Sequence, residues 1–438
     1  MIMEWYWSGL LLVATICVLM ALAVPVAFAF FAASIIGVLV FIGGDVGMRQ
    51  LVTSSSASIT TFALVPIPLF LLMGELFFHT GVATSVFDAF DKLFGRMRGR
   101  LAYATVAGGT VFAALSGSSM ANTALMGASM TPEMNRRGYK PHMSLGPILG
   151  TGGLAIIIPP SALAVLLGSL AKVDIGQLLI GGVLPGVLLA MLYVVTIYIQ
   201  LRIDPDAAPA YDVPPVPILE KLKTIVFNLA PMGLVVFMVI GLMLLGIATP
   251  TESSAFGVVG VLIVSAAYRK LNFTAVKRAL TGTLKTTTMV FMIIIASTSF
   301  GQTLALSGAT TGLVTWASTF DIPPFAMLTF ILVILVFLGC LMDQVAIMML
   351  TVPLFYPIIQ KLGFDPIWFS VMFMLTLETG LITPPFGMGL FVLQGVCPTV
   401  PFKDIVAAGL PYIFCTLILI ALIMIFPPIA TWLPSIIK

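Results

Sequence analysis

Charged side chains are scarce in this sequence. Only 8% of its 438 residues are Asp, Glu, Lys or Arg, against about 25% in an ordinary soluble domain. Histidine is rarer still. His79 and His142 are the two present, far apart in the chain, which argues against a zinc or haem centre. The four cysteines, Cys17, Cys340, Cys397 and Cys415, make no Cys-x-x-Cys pair and sit in apolar surroundings. They read as small apolar fillers rather than redox or metal ligands. There is no Walker A motif, no Ser-His-Asp set and no His/Glu metal motif. That leaves no route to ATP hydrolysis or to the common hydrolytic chemistries, and it implies no organic cofactor.

What the sequence has in abundance is apolar surface: 60% hydrophobic residues and a mean hydropathy of +1.16. Roughly half of a soluble protein's surface faces water, so no soluble fold of this size could hide so much. The lipid bilayer is the solvent that fits. A span takes about 20 apolar residues, and there is room for ten or more. The net charge of +3 says little about partners, and nothing points to nucleic acid. Met1 to Trp7 carries Glu4 and no Lys or Arg, so the basic start of a cleavable signal is missing. Ser8 to Ile42 has no charge. As one helix it would run about 50 Å, too long for a core of about 30 Å. Pro25 is the expected break between two spans.

A short Ser/Thr-rich stretch, Arg49 to Thr61, and an apolar segment, Phe62 to Phe78, follow. Residues 82–98 read as an amphipathic surface helix. Val86, Phe87, Phe90 and Phe94 share one side, with Asp88, Asp91, Lys92 and Arg96 among the others. Tyr103 to Met130 is apolar but rich in Gly and Ser; Leu145 to Leu170 and Ile175 to Gln200 are two more apolar segments. Arg202 to Lys223, with four acids and Pro205, Pro209, Pro214, Pro215 and Pro217, reads as a loop dividing the chain. The second half repeats the pattern. Spans are expected near 226–246 and 254–268, then come a basic stretch 269–285 and apolar segments 286–308, 325–359, 367–397 and 405–432.

Three landmarks recur in order. Gly153-Leu-Ala-Ile-Ile-Ile-Pro159-Pro160 resembles Gly380-Leu-Ile-Thr383-Pro384-Pro385, offset 225 between the prolines. Ser116-Gly-Ser-Ser-Met120 resembles Leu338-Gly-Cys-Leu-Met342 at offset 222, and Leu184-Pro185 resembles Leu410-Pro411 at 226. Lys92, Arg96, Arg98 and Arg100 precede the segment 103–130, and Arg136, Arg137 and Lys140 follow it. Basic flanks mark the cytoplasmic face, so both ends lie on that side and the segment is a re-entrant hairpin with its tip at Leu115 to Asn122. The matching segment 325–359 is flanked by Asp321, Lys361 and Asp365, poor in positive charge, and so enters from the opposite face. The alternative is two ordinary full spans with a weak charge bias.

The fold expected is therefore an all-α polytopic membrane protein with two inverted-topology repeats, re-entrant hairpins and discontinuous helices, the plan of secondary transporters. Residues 1–61 are scaffold helices and 62–201 the first repeat, with its hairpin at about 101–134 and broken helix at about 143–170. A cytoplasmic loop spans 202–225, and a second scaffold with its arm spans 226–285. Residues 286–438 are the second repeat, with its hairpin at about 322–360 and broken helix at about 367–396.

Broken helices in hydrocarbon are tolerated only around a cavity. Freed carbonyls and Ser, Thr or Asn oxygens there suit a sodium ion, while helix N-termini suit an anion. Ser116, Ser119, Asn122 and Gly153 are the candidate ligands of one sodium site; Gly339, Gly380 and Thr383 are those of another. The bland alternative is that small residues simply allow close helix packing. Pro159, Pro160, Ser161, Pro384 and Pro385 are candidates for substrate contact or gating, since Pro-Pro removes N–H donors and bares upstream carbonyls. Acids inside apolar segments are costly and usually functional. Asp343 is the first candidate for coupling or gating; Glu378 serves the same end or pairs with a basic residue, and Glu75 and Glu252 read as interfacial or structural.

Taken together, Phe62 to Phe70 with Gly74-Glu75, Ser116-Gly-Ser-Ser with Ala121-Asn122-Thr123, Pro132-Glu133-Met134 with Arg137-Gly138-Tyr139, Ile158-Pro159-Pro160-Ser161 and Gly380 to Gly387 resemble the large membrane subunit of tripartite ATP-independent periplasmic (TRAP) transporters. The resemblance covers nearly the whole chain. It implies a sodium-coupled importer of the bacterial inner membrane with an elevator mechanism, and sodium sites at the hairpin tips and broken helices. It further implies two partners: a small membrane subunit and a soluble periplasmic receptor that captures the substrate, often an organic acid. The second tip, Gly339-Cys-Leu-Met-Asp343, lacks the Ser and Asn of the first, so its ligands would be mainly carbonyls. The competing expectations are a stand-alone sodium–anion symporter of related fold and, from another class, an ion channel or non-transporting scaffold.

Overall fold

The computed structural model describes residues 4–95, 97–209, 217–317, 319 and 322–436, and within them every regular element is helical. Met1, Arg96, Asp212, Pro214, Pro215 and Asp321, and the side chain of Asp88, all read above from sequence, lie outside that description. The first half begins with α1 (Trp5–Ala21) and α2 (Val26–Phe41), separated at Pro25, which stands as the N-cap of α2. Then come α3 (Gly44–Ile59), α4 (Pro66–His79), α5 (Ala83–Phe94), α6 (Arg100–Ser116), α7 (Ser119–Arg136), α8 (Pro141–Ile157), α9 (Ala162–Ala171) and α10 (Ile175–Ile203). The Ser/Thr-rich stretch before α4 is thus helical, as α3.

The second half opens with a rod of α11 (Ile218–Thr224), α12 (Ala230–Val236) and α13 (Leu242–Leu244), joined through π-helical turns at Ile225–Leu229 and Phe237–Gly241. It continues with α14 (Pro250–Ala267), α15 (Phe273–Leu306), α16 (Ala309–Ala317), α17 (Pro324–Leu341), α18 (Gln344–Lys361), α19 (Pro366–Leu381), α20 (Met388–Val396), α21 (Phe402–Ile425) and α22 (Pro428–Ile436). The dividing loop is shorter than the sequence suggested. Pro217 is the N-cap of α11, and Ile-Leu-Glu-Lys-Leu-Lys are good helix formers. The basic stretch after Arg269 is likewise the first turns of the long α15.

Polar caps set many of the boundaries. Thr249 and Glu252 form a capping box with Pro250 in the first turn of α14, which gives Glu252 the structural role expected of it. Asp174, Asn272 and Asp365 cap α10, α15 and α19 through side-chain oxygens. At the start of α8, Lys140 donates to Asp204 at the end of α10 (2.6 Å). That bond holds the Asp204 carboxyl below the usual carboxylate range; the pair is exposed and adds little stability.

Both breaks produce hairpins. The Leu101 N–H donates to the Tyr139 hydroxyl (3.2 Å), so the start of α6 meets the residues just past α7. The rings of Phe325 and Phe364, 5.4 Å apart, close the base of α17–α18 in the same way. Helices α7 and α18 have 18 residues each and begin 225 positions apart, as α8 and α19 do. Inter-helix contacts also come in matched pairs. Contacts α6·α8, α7·α8, α7·α20 and α8·α21 are mirrored by α17·α19, α18·α19, α18·α9 and α19·α10; in the outer layer α2·α15 is mirrored by α14·α4.

Helices α8 and α19 are the centre of the fold: from Met143 to Ile157 and from Trp368 to Leu381 every residue is buried, as expected of helices apolar all round. Outer helices keep apolar faces exposed, such as Met191, Val194 and Ile199 on α10 and Phe414, Ile418 and Ile425 on α21. Those faces suit hydrocarbon. Among the described residues eight helices are long and apolar enough to cross a membrane, or nine if α8 and α9, bent by 44°, count as one span. Helices α17 and α18 each pass that test, whereas α6 and α7 do not. By length and composition alone, then, the second hairpin could also be a pair of full spans.

Candidate functional site

At the first tip α6 ends at Ser116, Gly117 turns the chain with φ +61°, and the Ser118 hydroxyl caps α7 by accepting from the Ala121 N–H. Gly117 has no substitute here, because a Cβ would stand 2.8 Å from the Pro160 carbonyl oxygen. The first Pro-Pro turn is thereby packed on the first tip. Gly74 on α4 is pressed in the same way against the Ser116 carbonyl, 2.5 Å from an ideal Cβ.

The four residues chosen for the first sodium site, Ser116, Ser119, Asn122 and Gly153, lie at or beside this tip. Asn122 is fully buried; its Nδ2 donates to the carbonyls of Thr151 (2.7 Å) and Gly109 (3.3 Å), tying α7 to α8 and α6. The Ser119 hydroxyl donates to Glu378 Oε2 (3.0 Å) on α19. Gly153 lies against the same side chain, since its Cβ would be 2.6 Å from Glu378 Cγ. The Ser116 hydroxyl and Asn122 Oδ1 are buried oxygens without a hydrogen-bond partner among the described residues. Buried polar atoms are nearly always partnered, and these two oxygens stand open beside the tip.

The second set is arranged differently. Gly339 on α17 and Gly380 on α19 touch backbone to backbone; a Cβ on Gly380 would lie 2.4 Å from Gly339 Cα. The Thr383 N–H donates to the Gly380 carbonyl (3.1 Å) and its hydroxyl to the Thr379 carbonyl (2.5 Å). Gly339 and Gly380 share one helix crossing, and the Gly380 carbonyl and the Thr383 hydroxyl already take part in helix-end bonds. Both Pro159–Pro160 and Pro384–Pro385 peptides are cis. Ser161, chosen for gating, caps α9 by accepting from the Ala164 N–H. Asp343 does the same for α18, accepting from the N–H groups of Val345 (2.9 Å) and Ala346 (3.1 Å).

That geometry yields a test. Asp343→Ala is expected to lower stability by about 1 kcal/mol, and Asp343→Asn, an equally good cap, to preserve most of it. Thermal unfolding of the detergent-solubilised protein separates the two; equal losses would mean that the charge, not the cap, matters.

Glu378 was legible as an acid in the apolar run from Trp368 to Leu381, but its place between the two hairpins was not. It has no basic partner among the described residues, so the pairing considered from sequence does not occur there. Instead Oε2 accepts from Ser119 and from Gln344 Nε2 (3.1 Å), the first residues of α7 and α18. A cavity of about 790 Å³ among the described residues was not foreseen. It lies between α3, α15, α18 and the α9–α10 turn, and Ser58, Lys172, Thr298, Gln302 and Gln360 contribute polar groups to it. It does not reach Ser116, Asn122 or Glu378.

A multi-pass helical membrane protein whose two hairpins meet in its interior at a central buried helix belongs to the class of secondary transporters, not enzymes. Solved structures agree on the fold. The YdaH transporter of Alcanivorax borkumensis superposes with a TM-score of 0.66, covering 98% of each chain at 15% identity. MtrF of Neisseria gonorrhoeae gives 0.61 over 87% of this chain and 85% of its own, at 13% identity. The chain belongs to the tripartite ATP-independent periplasmic transporters, DctM component: residues 13–429 match that family. It is 32% identical over 376 residues to the C4-dicarboxylate TRAP transporter large permease protein DctM of Pseudomonas aeruginosa, covering 85% of this chain and 86% of the relative. The ectoine TRAP transporter large permease protein TeaC of Halomonas elongata is 28% identical and covers 97% and 98%. The chain is thus a large TRAP permease of the inner membrane.

Proposed function

We propose that this chain is the sodium-driven importing subunit of a TRAP system, moving a small organic acid anion that a periplasmic receptor delivers, with a small membrane subunit bracing its outer helices. The observation that carries this reading is the meeting of both hairpin tips inside the helical bundle, beside buried oxygens that lack partners. Sodium is a hard cation that takes oxygen ligands, as its divalent counterpart calcium does. Ser116, Asn122 and Glu378 offer oxygens, and the neighbouring broken helices offer carbonyls.

With the shorter apolar helices α1 and α2 read as crossings beside α4, the bent α8–α9 and α10, the first copy crosses an odd number of times and the second copy lies upside down in the membrane. Two copies so related, exchanging contacts between α7 and α20 and between α18 and α9, form one body that can slide against the outer helices α2, α4, α14 and α15. That is the elevator motion. The cavity between α15 and α18 lies on the boundary of the two bodies, where a carboxylate substrate would meet Lys172, Gln302 and serine and threonine hydroxyls. The relatives named for C4-dicarboxylates and for ectoine support a small, carboxylate-bearing substrate.

The test is uptake into proteoliposomes holding this chain and its small subunit, with receptor and labelled organic acid outside. Ser119→Ala and Thr383→Ala are each expected to raise the sodium concentration for half-maximal uptake about tenfold, the equivalent of about 1.4 kcal/mol, with expression unchanged. Wild-type sodium dependence in both variants would overturn the site choice. Uptake that needs no receptor would favour a stand-alone symporter instead.

A further inference from the structure

Among the described residues Glu378 is the one acidic side chain buried in the protein. Its surroundings obey the internal repeat. Ser119 and Gln344, which share its Oε2, are 225 positions apart, as are the caps Ser118 and Asp343 and the prolines Pro159 and Pro384. Glu378 itself corresponds to Gly153 at the same offset, and the two face each other across the α8–α19 contact. A carboxylate from one copy fits there only because the other copy has no side chain. The group stands where the two copies meet, bonded to equivalent residues of both.

We propose that Glu378 is the positioning residue that couples the two hairpins: one carboxylate oxygen holds the starts of α7 and α18 together, so that a cation bound at one tip is felt at the other. This rests on the cation-driven reading above. Two donors on one acceptor cannot move independently, because displacing either tip lengthens its bond to the shared atom. Breaking one of the two bonds leaves a buried polar group unpaired, so the tie resists being broken on one side alone. The second oxygen, Oε1, has no partner among the described residues and lies beside Gly153. A buried carboxylate left open on one side is costly unless a cation or a proton neutralises it. Ser116 Oγ and Asn122 Oδ1, neutral and likewise without a partner among the described residues, are set in the first hairpin and offer further oxygen ligands.

The experiment follows sodium-dependent thermal stabilisation of the full-length chain in detergent, with sodium chloride titrated against choline chloride at constant ionic strength. The wild type is expected to respond sigmoidally. Glu378→Ala should flatten the curve to a simple hyperbola and raise its midpoint about tenfold. Glu378→Gln keeps an acceptor for both donors but no charge, so it should raise the midpoint while keeping the sigmoid. A merely structural carboxylate would lower stability equally with and without sodium. The symmetry supplies a further control. Glu378→Gly and Gly153→Glu should each lose the sigmoid, and the double variant, which moves the carboxylate to the matching position, should regain it. Wild-type midpoints and slopes in Glu378→Ala and Glu378→Gln would overturn the proposal, as would a double variant no better than its parents. A wild type indifferent to sodium would instead overturn the cation-driven reading on which it stands.

Discussion

Gly380→Val is expected to cost at least about 3 kcal/mol of stability, enough to remove most folded protein from the membrane. The reason is the crossing of α17 and α19. An ideal Cβ on Gly380 would stand 2.4 Å from Gly339 Cα, 2.8 Å from its carbonyl carbon and 3.2 Å from the Val336 oxygen. All three are backbone atoms of α17, so no side chain can swing aside. Relief requires the helices to separate, which would open the packing around Leu335 and Leu377, both wholly buried. Alanine already meets the obstruction; valine adds two methyl groups to it. Close glycine contacts of this kind are how helices associate in lipid, where burial of apolar surface drives nothing. Gly395→Ala on α20 is the control: nothing lies within 4 Å of its Cβ position, and alanine is the better helix former by about 1 kcal/mol. Fluorescence-detected size exclusion and thermal unfolding report both. Wild-type stability in Gly380→Val would show that α17 and α19 do not cross at these glycines.

Much of this fold was legible because proline and glycine act locally. Pro25 separates α1 from α2, and the two Pro-Pro pairs follow the ends of α8 and α19, since two successive residues without an N–H remove two helix bonds. The Gly117 tip and the Asp343 break were visible for the same reason. What depends on partners distant in sequence was not. Ser119, Gln344 and Glu378 come from three helices, and no periodicity within α19 reveals that two hairpins end on its carboxylate. Asp343, an acid in an apolar segment, and Ser161, beside the first Pro-Pro pair, were read as candidates for substrate contact or gating; each also caps a helix. The start of α11 inside an apparent loop was hidden by the prolines before it. The cavity beside α15 was invisible because Ser297, Thr298 and Gln302 read as ordinary polar residues on a long helix.

Asn122 is where stability and cation binding can be separated. Its amide donates to two carbonyls on two helices, Thr151 O and Gly109 O, which fixes Nδ2 on that side and leaves Oδ1 open. The corresponding position 225 residues on is Ile347, and that of Ser116 is Leu341, so the first tip carries side-chain oxygens that the second lacks. Asn122→Ala removes both bonds and leaves a small void; the expected loss is about 2–4 kcal/mol. Asn122→Asp keeps the shape but turns the donor into a third oxygen facing two carbonyls. In choline it should therefore unfold below the alanine variant. If a cation sits against Oδ1, the added charge strengthens its binding, and sodium should raise the unfolding temperature of Asn122→Asp more than that of the wild type while leaving Asn122→Ala unmoved. The order of the three proteins would thus invert between choline and sodium for the aspartate alone. An aspartate variant that sodium fails to recover would place the cation away from Asn122, and one as stable as wild type in choline would mean that the amide does not donate to Thr151 and Gly109 at all.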